Sequence, residues 1–184
     1  IANCSGFFGD RLSAAREMVQ GGPIDALTGD WLAELTMLIL SRIQAKAPGA
    51  GYARTFVTQM EEVMGECLDK NIKVVSNAGG LNPQGCADAV QEIADRLGLN
   101  PSIAYVAGDD LAPRLRELIE AGNDFSHLDT GESLGELADR IVTANAYIGC
   151  WGIVEALNQG ADIVVTGRAT DAAVVAGPAA WYHG

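Results

Sequence analysis

The sequence predicts an α/β domain built on an open, mostly parallel sheet of about six strands with helices on both faces. Short β-rich runs alternate with helical patterns six times, which is typical of repeated βα units. Runs such as Val74-Val75 are apolar without alternation, which indicates strands covered on both faces. A closed eight-stranded barrel is disfavoured because the chain contains only six such units.

The predicted elements follow one another in a regular order. Strands are expected at residues 1–4, 24–27, 73–76, 103–107, 140–144 and 163–166. Helices are expected at residues 31–43, 52–68, 83–97, 111–121 and 150–158, and residues 123–135 form a long polar loop. Apolar side chains surround the first of these helices, so we expect a partner element or a second subunit to cover it. Homodimerisation is the simplest form of that prediction.

Composition excludes several classes of partner. The net charge is −12, no run of Lys or Arg occurs, and the resulting field repels phosphate backbones and anionic lipid. Nucleic acid and membrane surfaces are therefore not expected as partners. The most apolar stretch, residues 31–43, contains Glu34 and Arg42 and is too short to span a bilayer.

The four cysteines are widely spaced and match no zinc-binding pattern, which favours free thiols in a reducing compartment. No export signal is visible, and we expect a cytoplasmic protein. Residues 1–184 are long enough for one domain. Because the chain opens on Ile1 within a predicted strand, we expect this domain to be the N-terminal part of a longer protein.

The carboxyl ends of the predicted strands carry the candidate binding residues, since ligands of open α/β sheets bind there. Ser76, Asn77, Gly79 and Gly80 lie in the richest of these turns, whose donors suit a carboxylate, a phosphate or a thioester oxyanion. The alternative is an ordinary turn, because Gly and Asn also serve turns for their own conformational reasons.

Three further residues extend the candidate site. Asn145 follows the fifth predicted strand, and Arg168 and Asp171 follow the sixth. Arg168 is the only cation directly at a strand end, so it is the natural clamp for an anionic substrate. An ion pair between Arg168 and Asp171, three residues apart, is the alternative.

Candidate catalytic residues are Cys4, Asp109 and His127. Cys4 ends a strand, Asp109 follows one, and His127 lies in the long loop two residues before Asp129. The alternatives are a buried inert thiol, a helix-capping carboxylate and a surface imidazole.

The sequence names no cofactor, and the metal question is open. Asp30, Asp109, Asp110 and Asp171 all follow strands, so they would suit Mg²⁺ if they converged. The alternative is that these carboxylates cap helices, where each gains from the helix dipole.

Four segments resemble the acyclic terpene utilisation family, the AtuA-like proteins of bacterial citronellol and geraniol catabolism. They are residues 1–11 (IANCSGFFGDR), 21–37 (GGPIDALTGDWLAELTM), 73–83 (KVVSNAGGLNP) and 161–172 (ADIVVTGRATDA). The resemblance extends to about residue 178 and implies a metabolic context in which branched acids are processed as acyl-CoA thioesters. It assigns no catalytic residue to this sequence.

Together, the residues and the resemblance favour an enzyme or enzyme subunit acting on a branched acyl-CoA or a related carboxylate. A non-catalytic ligand-binding or assembly subunit of an acyl-CoA-processing complex is the alternative. A reactive group in the cleft distinguishes the two: if Cys4, Asp109 and His127 all point away from it, the binding role is favoured.

Overall fold

Strands and helices alternate along the chain, as the sequence predicts. The computed structural model describes residues 1–184, except the side chain of Glu136. The strands are β1 (Ala2–Asn3), β2 (Ala26–Gly29), β3 (Lys73–Ser76), β4 (Ile103–Val106) and β5 (Ile163–Thr166). The helices are α1 (Ala14–Gly21), α2 (Glu34–Gln44), α3 (Arg54–Asp69), α4 (Pro83–Leu97), α5 (Leu115–Glu120), α6 (Trp151–Asn158) and α7 (Ala173–His183), with 3-10 turns at Ala112–Arg114 and Gly135–Arg140.

The five strands form one open sheet in the order β1-β2-β3-β5-β4, and every pairing is parallel. In the centre of the sheet, Val74 of β3 pairs with Leu27 on one side and with Ile163 on the other. The predicted open α/β class is confirmed, with five strands in place of about six.

The predicted strand at residues 140–144 is wrong. Its first residue ends the 3-10 turn Gly135–Arg140, and Val142 is exposed to solvent. The carbonyl of Ala144 accepts the backbone N–H of Leu111 at 2.7 Å, which ties this segment to the chain that follows β4. The segment therefore lies beside the sheet and adds no strand to it.

Apolar side chains of the strands alternate between two cores. Val74 and Val165 face the core formed with α1, α2, α3 and α4, whereas Val75 and Val164 face the core formed with α6 and α7. Successive side chains of a strand point to opposite faces, so an uninterrupted apolar run serves both cores. The predicted helices on both faces of the sheet are confirmed.

Local sequence signals set both ends of α4. The side chain of Asn82 caps the first turn by accepting the Gly85 N–H at 2.9 Å, and Pro83 occupies the first helical position, where no N–H is needed. Gly98 ends the helix at a φ of 68°, in the left-handed region that glycine adopts without strain.

The apolar stretch at residues 31–43 contributes to the core in a different way from the prediction. Its helix begins at Glu34, and Trp31 is fully buried in the turn that precedes it. On the helix itself, Leu35 is 67% exposed and Leu38 is also solvent-accessible. Coverage of this face by a partner therefore stays a prediction. Among the described residues, no helix combines the length and apolar character that crossing a membrane requires.

Candidate functional site

The carboxyl ends of β3 and β5 lie side by side at the centre of the sheet. From β3 the chain continues into α4 on one face, and from β5 it continues into α7 on the other. The strand order thus creates a switch point between these two ends, which is where open α/β sheets bind ligands. Residues predicted to bind substrate follow both strands.

The turn after β3 is packed against its neighbours. The Asn77 side chain donates to Asp30 Oδ1 at 2.6 Å and accepts the backbone N–H of Trp31 at 2.7 Å. Ser76 Oγ donates to the carbonyl of Gly29 at 3.1 Å. Both side chains are fully buried, so in this structure they connect the ends of β2 and β3. Their role in substrate binding stays a prediction.

The two glycines of this turn allow close backbone contacts. A Cβ atom on Gly79 would lie 2.5 Å from the carbonyl oxygen of Thr166 and 2.7 Å from Pro83 Cα. Gly80 has a φ of 53°, and its N–H donates to the carbonyl of Asn77 at 3.2 Å. The turn thus closes over the end of β5, and part of its donor capacity is used within the protein.

Asp109 brings three of the predicted residues together. It is 3% exposed, and its Oδ2 accepts the backbone N–H of Arg168 at 2.7 Å and the Nδ2 of Asn145 at 2.9 Å. Asp109 also lies in the wall of a cavity of about 300 Å³ between the start of α4 and the end of β4, lined by Gly80, Leu81, Asn82, Pro83, Gln84, Tyr105, Ala107, Gly108, Asp109 and Asp110.

The side chain of Arg168 reaches from the end of β5 to the loop that follows β2. Its Nη1 donates to the carbonyl of Leu32 at 2.9 Å, and its Nη2 donates to the hydroxyl of Tyr147 at 2.7 Å. The guanidinium carbon lies 4.2 Å from the centroid of the Tyr147 ring, a cation–π contact. Two uncharged groups therefore hold the guanidinium in position.

Two carboxylates face the same guanidinium. Asp171 Oδ1 and Glu34 Oε1 each lie 3.4 Å from an Arg168 nitrogen, longer than the usual charge-assisted hydrogen bond. The side chains of Glu34 and Asp171 are 79% and 67% exposed, whereas that of Arg168 is 5% exposed. A buried cation is thus paired at long range with two solvated anions. The predicted alternative, an ion pair between Arg168 and Asp171, is present.

Hydrogen bonding in this cluster favours its charged forms. A hydrogen bond from the Tyr147 hydroxyl lowers the pKa of Glu34, and the Arg168 charge acts in the same direction. For Arg168, burial lowers the pKa, but the interactions with Tyr147, Glu34 and Asp171 together raise it above its ordinary value. The cation and the Glu34 carboxylate therefore coexist at neutral pH.

Cys4 is buried below the strand ends. Its Sγ lies 3.8 Å from Gln59 Oε1, and burial raises the pKa of the thiol to about 12. Nucleophilic cysteines need an accessible thiolate, which this environment disfavours. The structure thus favours the inert thiol that the sequence left as the alternative.

His127 lies in the exposed loop and accepts the backbone N–H groups of Asp129 and Thr130 at its Nδ1, at 3.1 and 3.2 Å. Its backbone bonds are with Gly131 and Glu132, within the same loop. No hydrogen bond joins it to Asp109 or Cys4 among the described residues. The structure does not bring the three predicted catalytic residues together.

A magnesium site formed by the strand-end aspartates is not supported. Over the described part of the chain, no group of three or more His, Cys, Asp or Glu residues is placed to hold a metal ion. The aspartates serve local structure: Asp110 Oδ1 accepts the Ala112 N–H at 3.0 Å, and Asp30 accepts from Asn77.

Sequence reasoning missed two residues of the cluster around Arg168. Tyr147 comes from the segment that was wrongly predicted to lead out of a strand, and Glu34 opens α2. Tyr147 lies two residues after Asn145 in the same segment, but nothing in its residue type distinguishes it from an ordinary exposed aromatic residue. No sequence signal places Glu34 beside Arg168, because 134 residues separate them.

Comparison of the sequence with known protein families gives a match. The model of the acyclic terpene utilisation family protein AtuA matches residues 1–184. Neither the curated proteins nor the solved structures contain a match to the chain. Because the family model covers the whole sequence, the chain belongs to the acyclic terpene utilisation family.

Proposed function

We propose that this domain binds a branched acyclic acid, as the free carboxylate or as its CoA thioester, at the carboxyl edge of the sheet. The observation that carries the proposal is the position of Arg168. Leu32 and Tyr147 hold its guanidinium, while the carboxylates that meet its charge within the described residues are two exposed ones at 3.4 Å. An anionic group of a ligand can take the place of such a partner, because both carboxylates are solvated and lie farther from the guanidinium than in a usual charge-assisted hydrogen bond.

The class of ligand follows from the family and from charge. Membership implies a role in acyclic terpene utilisation. We propose branched acids and their thioesters as the ligands, because these are the compounds that the resemblance described above implies. In a chain with a net charge of −12, an anionic ligand needs a specific cation, and Arg168 lies at the switch point. The free thiols Cys4, Cys67, Cys86 and Cys150 suit a cytoplasmic location, which we propose along with this metabolism.

Binding is better supported than catalysis. The Cys4 thiol is buried, and the hydrogen bonds that the described residues give to His127 all lie within its own loop. Two of the three predicted catalytic residues therefore offer no reactive group at the cleft, which supports the role of a non-catalytic ligand-binding or assembly subunit. An enzyme acting on the acyl-CoA is the second candidate, and Asp109 in the wall of the 300 Å³ cavity favours it.

Isothermal titration calorimetry with the sodium salt of a branched acyclic acid and with its CoA thioester tests the proposal. Arg168→Met should weaken binding about 10- to 100-fold, the range for losing a hydrogen bond to a charged group. Arg168→Lys keeps the charge but loses the planar guanidinium, so its affinity should lie between those of the unmodified protein and the Arg168→Met variant. Arg114→Met is the matched control, because Arg114 is an exposed arginine paired with Glu117.

Arg168 is buried, so a loss of binding in its variants could reflect a loss of folding, and a milder variant is needed beside them. Tyr147→Phe is such a variant, since it keeps the ring under the guanidinium and removes only the hydroxyl. We expect the Tyr147→Phe protein to fold and to bind several-fold more weakly. Absence of binding of both ligands to the unmodified protein at millimolar concentration would overturn the proposal.

A further inference from the structure

We infer that Glu34 occupies the place of the ligand's carboxylate on Arg168, so that this site accepts a free carboxylate and Glu34 competes with it. The inference rests on the proposed function, because it assumes that Arg168 receives the anionic group of the ligand. It narrows that function by naming the chemical group that the site recognises and the residue that limits its affinity.

The geometry around Glu34 is that of a bound carboxylate. One oxygen, Oε1, receives the Tyr147 hydroxyl and faces Arg168 Nη2 at 3.4 Å, while the same Nη2 also donates to the Tyr147 oxygen at 2.7 Å. A phenol O–H and a guanidinium N–H thus converge on one carboxylate oxygen. Within the described residues, the Glu34 side chain forms no hydrogen bond with any other side chain.

Glu34 is placed to leave this position easily. It is the first residue of α2, and its side chain is 79% exposed, so rotation about its own bonds moves the carboxylate into solvent without moving the helix. Its carboxylate is held by the 3.4 Å ion pair with Arg168 and by the hydrogen bond from Tyr147. When Glu34 rotates away, Arg168 Nη2 and the Tyr147 hydroxyl become available to an external carboxylate.

The charges favour a single carboxylate over other groups. Arg168 faces Glu34 and Asp171, so a carboxylate ligand that replaces Glu34 leaves the number of anions beside the cation unchanged and accepts the same donors. The carbonyl of a thioester or an amide is neutral and lacks the charge-assisted attraction to Arg168. A dianionic phosphate adds charge beside Asp171 and is repelled more strongly.

Glu34→Gln tests the inference, because it removes the charge and keeps the shape of the side chain. The probes are the sodium salt of a branched acyclic acid, the uncharged amide of the same acid, and inorganic phosphate, each measured by calorimetry. We expect the variant to bind the acid about 3- to 10-fold more tightly than the unmodified protein. Without the Glu34 carboxylate on Arg168, a larger fraction of the protein has a site that is free to bind the acid. Affinity for the amide should not change, and phosphate should gain less than the acid.

Asp171→Asn is the matched control. It removes one carboxylate at the same 3.4 Å distance from Arg168, but Asp171 does not share the Tyr147 hydroxyl. We expect at most a twofold gain in affinity for the acid. Equal gains in the two variants would mean a general charge effect and overturn the inference, as would a gain for phosphate as large as that for the acid.

The outcomes also separate this inference from the proposed function. If the unmodified protein binds the acid and Glu34→Gln binds it no more tightly, the competition is wrong and the binding site stands. If neither protein binds the acid, the proposed function fails with it. Glu34→Ala repeats the measurement with the side chain removed, so that a residual hydrogen bond from glutamine to Tyr147 cannot hide the effect.

Discussion

The carboxylate of Asp109 accepts the backbone N–H of Arg168 at 2.7 Å, which joins the segment after β4 to the segment after β5. The same oxygen receives the Nδ2 of Asn145, so one buried carboxylate fixes three chain segments at the carboxyl edge of the sheet. The carboxylate also packs on Gly167, where an added Cβ would lie 2.2 Å from Oδ1. Asp109 therefore positions the backbone from which the Arg168 side chain extends.

Removal of this carboxylate should destabilise the fold. We expect Asp109→Ala to lower the free energy of unfolding by about 3 kcal/mol, because it leaves the buried Arg168 N–H without an acceptor. Asp109→Asn keeps an acceptor and should cost about 1 kcal/mol. Urea denaturation measures both. Asp110→Ala is the control, since Asp110 is exposed and its side chain accepts the N–H of Ala112, two residues further along the chain. An equal loss in this variant would contradict the assignment.

Gly79 should tolerate no side chain. A Cβ atom there would lie 2.5 Å from the Thr166 carbonyl and 2.7 Å from Pro83 Cα, and both of these are backbone atoms that cannot rotate away. We expect Gly79→Ala to destabilise the protein by about 1 to 3 kcal/mol, the usual range for overpacking. Thermal denaturation monitored by circular dichroism measures the change. Gly149→Ala is the matched control, because no atom lies within 4 Å of its added Cβ, and similar melting temperatures for the two variants would refute the prediction.

Stability should fall at alkaline pH because of the buried thiols. Burial raises the pKa of Cys4 and of Cys67 to about 12 from 9.0, so folding favours their neutral forms. The unfolded chain releases these protons at lower pH than the folded protein does. The stabilisation is therefore complete below pH 9 and is lost as the pH rises towards 12, by up to about 4 kcal/mol for each thiol.

Urea denaturation between pH 8 and pH 11 measures this dependence. We expect Cys4→Ala to be less sensitive to pH than the unmodified protein over the upper part of this range. Cys150→Ala should show the unmodified dependence, because Cys150 is partly exposed. Identical slopes for the Cys4→Ala and unmodified proteins would show that the Cys4 thiol is not the source.

The exposed face of α2 provides a test of self-association. Leu35 is 67% exposed, and Leu38 and Ile43 are also solvent-accessible, so the predicted homodimer would bury all three. We expect sedimentation velocity to show a dimer that Leu35→Glu converts to a monomer without loss of helical content. Leu97→Glu, at an exposed leucine of α4, is the control and should leave the dimer intact. A monomeric unmodified protein would rule out this interface.

Sequence patterns determined the class of fold, because the signals that carried it are local. Uninterrupted apolar runs indicated strands that are covered on both faces, and the caps Asn82 and Gly98 set the ends of α4. The segment at residues 140–144 misled the prediction because a short apolar run forms a strand only where a neighbouring strand offers its edge. That neighbour is a property of the topology.

The tertiary structure alone decided how the predicted site residues are used. Residue type and position placed Asn77, Asp109 and Arg168 at strand ends, but each side chain has its partner on a segment distant in sequence. The cluster of Arg168 with Tyr147 and Glu34 joins residues up to 134 positions apart. Such pairings depend on strand order, which decides which strand ends lie next to each other, and on burial, which decides which charged groups remain exposed to solvent. Neither strand order nor burial is encoded in a local sequence pattern.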